Sequence, residues 1–382
     1  MTIDTARLLD WAQRIARTPS QQTDRFEAEP EVQAFIRDCV VPILAEAVIA
    51  ARIDAMGNAI AEIGPRDASR SLLLMGYAMT HPAAAMRDPF GGEVVETPDG
   101  PALRGRGVAE QKGSLAAAIA AAAAWAKAPP ADSRLVLAIS TAGETGRHDA
   151  ARAILAEIGT VPPLGIVVLG TGGRVALGNK GRIDVEVVVT GRPAHSSTPW
   201  AGVNAIEGLR QVLDQLPRVP LPAKEHPALG RATLTPTFIE TWPRATHTVQ
   251  AGAKLTLDRR LLPGDDPDIA FCELRAALSL PAPFGLEVKR GAYMYPCEIA
   301  PDGALMRAIA EGAALAGLPA PEGYHSHGAL DAGYLLAQGC EAAMWGPGAP
   351  EQWHSDNEQV TLAATEEGAR LYLGLLRALL GE

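Results

Sequence analysis

Side chains able to hold a cation or move a proton gather in a few short stretches of this chain. Glu110 and Lys112 lie in "RGRGVAEQKGS", Glu144 in "STAGETGRH", His354 in "EQWHSDNEQV", and His325 and His327 in "EGYHSHGALDAG". Two histidines at a spacing of two point the same way on an extended strand, where they could serve as ligands or acids; the plainer reading is a pair of exposed loop histidines. Two other chemistries are excluded. Lys112 is followed by Gly113, so GxxxxGK[ST] is absent and the glycines around it are turn residues, not a phosphate cradle. Ser196 and Ser197 sit beside His195 without a G-x-S-x-G elbow, which argues against a serine nucleophile.

The stretches are set in an α/β rhythm. "SLLLMGY", "RLVLAIS" and "LGIVVLG" are continuous apolar runs, as buried parallel strands are, with helical patterns at 114–127 and 148–158 between them. Near Gly181 the pattern changes. "RIDVEVVVTG" alternates strictly, and "ATLTPTFIET", "GAKLTLDRRL" and "FGLEVKRG" follow with helical segments at 204–216 and 268–278 between them. After Pro296 the α/β rhythm returns. The chain therefore reads as a parallel-rich mixed-sheet α/β domain, 1–181 and 295–382, with an α+β sandwich inserted at 182–294.

Bulk properties narrow the function. A length of 382 residues favours two domains. The net charge of −10, spread along the chain, disfavours a nucleic-acid or anionic-membrane surface. Cys39, Cys272, Cys297 and Cys340 are far apart and form no CxxC pair, as in a reduced, cytoplasmic protein. The amphipathic start lacks the basic and apolar regions of a signal peptide, and no run is long and apolar enough for a membrane span.

Four segments in order resemble the dizinc aminoacylase and carboxypeptidase family, which includes acetylornithine deacetylase, succinyl-diaminopimelate desuccinylase and glutamate carboxypeptidase. "DPFGGEVVETPDGPALRGRGVAEQKGSLAA" is similar to its DPF…GRGxxDxKGG segment. "GRPAHSSTPWAGVNAI" is similar to its lid signature, "LTLDRRLLPGDD" to its DxR…PG strand, and "WGPGAPEQWHSDNEQV" to its closing GPG…H…NE segment. The resemblance covers nearly the whole chain and implies the fold just described.

It implies an altered metal site. Tyr77 stands at the metal-binding His of the family's GHxD motif and Met79 at its Asp. Glu110 stands at the shared Asp, Gly143 at the general-base Glu, Glu144 at the second Glu, and Leu169 or Gly170 at a terminal carboxylate; the closing His is His354. One cation's seat is thereby dismantled, with neutral replacements throughout. Glu110, Glu144 and His354 remain for one Zn2+ or similar divalent ion, since two carboxylates and an imidazole suit a single zinc with an open position. With no metal, the two acids would face each other and share a proton, or Lys112 would neutralise one. His81 and His148 lie near the altered positions, and neither falls on a ligand position without a register shift.

The resemblance further implies that His195 stabilises the oxyanion and acts across a homodimer, and that Arg260 binds a substrate carboxylate; the alternative for Arg260 is a salt bridge to Asp258. His247 takes the place of a substrate-binding Asn. Tyr77 either donates a hydrogen bond or proton, or plugs the vacated seat; Glu144, His195 and Tyr77 are the candidate catalytic groups. The expected function is hydrolysis of an amide or related C–N bond in a small carboxylate-bearing substrate, with at most one metal ion. The alternatives are a metal-independent enzyme of cyclisation, elimination or ring opening, and a non-catalytic binding protein.

Overall fold

The computed structural model describes residues 1–143 and 145–382. The expected α/β class is what it shows: a large mixed sheet with parallel strands at its centre. Two compact units are present. One comprises 1–178, 298–325 and 331–382; the other comprises 179–297 and 326–330.

In the first unit the sheet runs Ala51–Ile53, Ala59–Ile63, Ser133–Ser140, Arg70–Tyr77, Leu164–Val168, Glu341–Trp345, Val175–Asn179. The four strands from Ser133–Ser140 to Glu341–Trp345 pair in parallel. Three of them, Ser133–Ser140, Arg70–Tyr77 and Leu164–Val168, are the apolar runs legible in the sequence, and Ser133–Ser140 is buried at every position. Burial on both faces is the reason such strands do not alternate. One face is covered by the Ala-rich helix Gly113–Trp125 and by Leu362–Leu380, which packs on it. Small side chains let the two helices and the sheet approach closely. The C-terminal ends of parallel strands are where α/β folds place ligands. Arg70–Tyr77 delivers Tyr77 and, just beyond it, His81 to that end.

A small three-stranded sheet joins Glu93–Thr97, Gly100–Arg104 and Gln359–Thr361, with Gln359 opposite Arg104. It brings the segments on either side of Glu110 and His354 into register.

The second unit is a four-stranded antiparallel sheet in the order Thr233–Trp242, Gly252–Leu261, Gly181–Thr190, Gly285–Met294. Alternate residues Ile183, Val185, Val187 and Val189 are buried against Leu209, Val212 and Leu274 of the helices Ala205–Leu213 and Pro267–Ala277. This is the strict alternation predicted for a sheet with one solvated face.

A buried charge cluster ties one edge of the large sheet. Arg134, 1% exposed, donates to Glu62 Oε2 at 2.5 Å, while Arg52 and Arg66 lie 2.8 and 2.6 Å from Oε1. Burial would push the Glu62 carboxyl up, but Arg66, Arg134 and Arg52 outweigh it and hold it below the ordinary carboxylate range. Because its folded-state pKa is depressed, its contribution is full above the unfolded value and is lost as pH falls through the folded one. Glu62→Ala leaves Arg134 buried without its carboxylate and is expected to cost about 3 kcal/mol in urea unfolding at pH 7. The deficit against wild type should shrink in acid; an equal deficit at pH 7 and pH 3 would contradict the ion-pair account.

Candidate metal centre and the buried network beside it

Glu110 lies in a π-helical turn, Val108–Lys112, that leads into Gly113–Trp125. Such turns recur at functional sites because the wider ring re-aims a side chain. Its backbone carbonyl accepts from the Gly170 N–H at 2.7 Å. Its side chain is fully buried, and Oε1 lies 3.1 Å from His354 Nε2. The His354 ring lies 3.7 Å, centroid to centroid, from that of His81. One ligand atom from each of His81, Glu110 and His354 falls within 4.8 Å of the other two. His354 has a left-handed backbone, φ +58°, a conformation rare for residues other than glycine, which collects at functional sites.

His81 has no place in the family's ligand pattern, yet the structure puts it in the set. It is brought in by the turn after Tyr77: the Thr80 N–H donates to the Ser20 carbonyl at 2.8 Å, and Gln22 N–H to the Thr80 carbonyl at 2.9 Å. The one local signal in the sequence is a histidine just past a strand that carries an altered ligand position. Glu144, the second carboxylate expected of the set, lies outside the described residues.

The donors fit a divalent ion. Two imidazoles, one carboxylate and an open fourth position make a catalytic-zinc donor set. Glu110 Oε2 is buried and has no hydrogen-bond partner among the described residues, which is costly for a carboxylate unless a cation completes it. A second buried carboxylate, Glu358, is ion-paired at 3.0 Å to Arg106. Burial pushes the Glu358 carboxyl up; the Gly107 and Glu110 N–H groups and Arg106 oppose this, and the Glu110 charge adds to it. The His354 imidazole is raised chiefly by its hydrogen bond to Glu110, while burial lowers that of His81 against the pull of Glu110.

Tyr77 belongs to a neighbouring network. It is 1% exposed, and its hydroxyl donates to Asp331 Oδ2 at 2.8 Å. The other oxygen, Oδ1, accepts from His148 Nδ1 at 2.7 Å. His148 stacks on Tyr334 at 4.6 Å and also has a left-handed backbone, φ +57°. No spacing pattern points to His148 and Asp331 as a pair, because 183 residues separate them. The Tyr77 ring lies against Gly143, where an added Cβ would sit 2.5 Å from ring carbons. Gly170 is similarly constrained: a Cβ there would meet the Ala109 carbonyl oxygen at 1.9 Å. Leu169 is fully buried. Of the neutral residues inferred at these positions, Tyr77 and Gly143 pack on each other.

In the second unit, His195 is exposed in the turn before Pro199–Ala201. Its Nδ1 accepts from the Ser197 N–H at 3.2 Å and lies 2.7 Å from Ser197 Oγ. A neutral ring accepting at Nδ1 carries its proton on Nε2. His247 is close in space, since its carbonyl accepts from the Ser196 N–H at 2.9 Å. Arg260 Nε and Nη2 pair with Asp258 at 2.8 and 3.0 Å. The salt bridge given above as the alternative for Arg260 is therefore present, and Nη1 donates to the His327 carbonyl at 3.4 Å. His325 Nε2 lies 3.2 Å from Glu298.

Residues 80–378 match the sequence profile of peptidase family M20/M25/M40. The chain is 27% identical over 343 residues to succinyl-diaminopimelate desuccinylase of Cereibacter sphaeroides, covering 85% of this chain and 88% of that protein. It is 34% identical over 173 residues to a probable carboxypeptidase of Uncinocarpus reesii, covering 42% and 38%. The fold superposes on the M20 metallo-carboxypeptidase Sso-CP2 of Sulfolobus solfataricus with a TM-score of 0.77, at 17% identity and over the full length of both chains. It matches the aminopeptidase PepT of Bacillus cereus with a TM-score of 0.72 at 16% identity, over 99% of each. The chain belongs to peptidase family M20/M25/M40. The hydrolases of this family act on amide bonds of small carboxylate substrates, and the metal-independent alternative is not favoured.

The packing of Tyr77 on Gly143 sets a test. Gly143→Ala should cost about 2 kcal/mol by overpacking in the wild-type chain, and much less in a Tyr77→Ala background. Chemical unfolding of the four proteins of that cycle measures the coupling; equal costs in both backgrounds would show that the ring does not set the size of residue 143.

Proposed function

We propose that the protein hydrolyses its amide substrate with one divalent ion, zinc or similar, held by His81, Glu110 and His354. The observation that carries this reading is the convergence of those three side chains around a buried carboxylate oxygen with no partner among the described residues. When bound, the ion supplies a Lewis acid that activates water and polarises the amide carbonyl. The chain's own residues do the rest. Glu110 fixes the inner edge of the site from a buried position, and His354 closes it from the solvent side. Tyr77, bound to Asp331, fills the second seat and keeps the space beside Gly143 dry. Glu144 stays a candidate for proton transfer on the family resemblance alone.

His195, with its proton on Nε2, is suited to donate to the developing oxyanion. We assign it to the site of a partner chain in a homodimer. Support comes from its exposure and from the edge strand Thr233–Trp242, where Phe238 and Ile239 are 55% and 50% exposed and Trp200 on the nearby turn is 79% exposed. Exposed apolar edges of this kind are usually covered by another chain. Arg260, held rigid by Asp258, offers its Nη1 edge to the substrate carboxylate, and His247 shapes the pocket beside His195. The similarity to a succinyl-diaminopimelate desuccinylase and a probable carboxypeptidase supports an N-acylated amino acid or a short peptide as the substrate. Cys39 and Cys272 are free thiols, which suits a cytoplasmic location. Among the described residues no helix is long and apolar enough to cross a membrane.

Elemental analysis of the purified protein should find about one zinc per chain, with turnover lost to a chelator and restored by zinc. His81→Ala and His354→Ala should each weaken zinc binding by more than the ~10–100-fold that loss of a ligand's supporting partner costs. Zinc retained in full by His81→Ala would remove His81 from the site.

The dimer has its own test. His195→Ala and His354→Ala chains, each inactive alone, should regain activity when mixed and re-equilibrated, because one hybrid site then has both histidines. No recovery, with hybrid dimers demonstrated by mass, would show that His195 does not act across the dimer.

A further inference from the structure

Glu358, in the closing motif of the sequence, takes no direct part in the hydrolysis. It is fully buried, so it does not meet substrate. Both of its oxygens are nevertheless committed. Oε2 accepts from the Gly107 N–H at 2.8 Å and from Arg106 Nη1 at 3.0 Å; Oε1 accepts from the Ala109 and Glu110 N–H groups at 3.0 and 3.1 Å. The Glu358 carbonyl also accepts from the Gly105 N–H at 3.2 Å. The first N–H groups of a helical turn have no partners within the turn, and a carboxylate is well suited to them. Here one carboxylate takes three such groups, and the last belongs to Glu110 itself.

The same short segment therefore grips Glu110 from two sides. His354 meets its side chain at 3.1 Å, and Glu358, four residues later, meets its main chain at the same distance. The strand Gln359–Thr361 locks the segment onto Gly100–Arg104. Arg106 anchors the carboxylate and also donates to the Ala83 carbonyl at 3.1 Å, two residues beyond His81. All three proposed ligands are thus connected to Glu358 through one or two hydrogen bonds or a few residues of chain. A cap that served only the helix would need none of these links.

We propose that Glu358 is a positioning residue for metal binding: by fixing the backbone of 107–110 it presents the Glu110 carboxylate between His81 and His354. This rests on the single-ion reading of the site. Supporting partners of metal ligands set ligand geometry and commonly govern affinity.

The test uses the full-length chain stripped of metal, titrated with zinc in competition with a chromophoric chelator. Glu358→Gln replaces one acceptor oxygen with an amide NH2 that faces N–H donors. The expected result is zinc affinity weakened by about 10–100-fold, with the far-ultraviolet circular dichroism of the wild type retained. A folded Glu358→Gln protein that binds zinc as tightly as wild type overturns the proposal. Should that variant not fold, amide exchange of the wild-type chain decides: zinc should slow exchange at Gly107, Ala109 and Glu110, and unchanged exchange there overturns it. His354→Ala separates the two readings. Unaltered zinc affinity in His354→Ala sinks the metal site and the brace with it; loss in His354→Ala with none in Glu358→Gln sinks the brace alone.

Discussion

A carboxylate buried with one oxygen unmatched among the described residues is the constraint around which the first unit is organised. Glu110 is placed there by a turn that the chain could have wound as an ordinary helix. Its main chain is tied to Gly170 and Glu358, and its side chain to His354. Leaving such a group incomplete in a low-dielectric interior is costly. The parallel strands, the Ala-rich helix and the small three-stranded sheet all end near it, so the cost is local while the support comes from the whole unit.

Tyr77 and Gly143 are matched by packing. Tyr77 brings a ring, and Gly143 yields the volume that the ring takes. Asp331 then pairs with both the phenol and His148, so the buried cluster is held by hydrogen bonds. Buried polar groups persist when they are paired in this way. A single change back at Tyr77 would take the phenol donor away from Asp331 and reopen the space beside Gly143, which explains why these residues form a set.

Much of the fold was legible in the sequence because it rests on short-range pattern. The continuous runs at 72–75 and 135–139 could only be doubly covered strands, and "RIDVEVVVTG" could only be half-covered. Glu110 and His354 were legible through the segments around them. His81 was not, because its place depends on how the chain turns at Thr80, and that turn is fixed by a backbone bond to Ser20. The pairing of Asp331 with His148 was invisible for a related reason: no periodicity links two side chains so far apart, and only the tertiary fold brings them together. The Arg260–Asp258 pair was open to either reading, since residues two apart on one strand share a face and whether they meet depends on rotamers. Glu144 lies outside the described residues, so its assignment stands on resemblance alone.

The left-handed backbone at His354 also bears on how this site can change over time. Only glycine, asparagine, aspartate and histidine enter that region readily. Of the other three, aspartate alone offers a strong cation donor, and its shorter side chain would have to reach further from the same main-chain position. Drift at this position is thus channelled: most single replacements would have to reshape the loop first, which tends to preserve the imidazole.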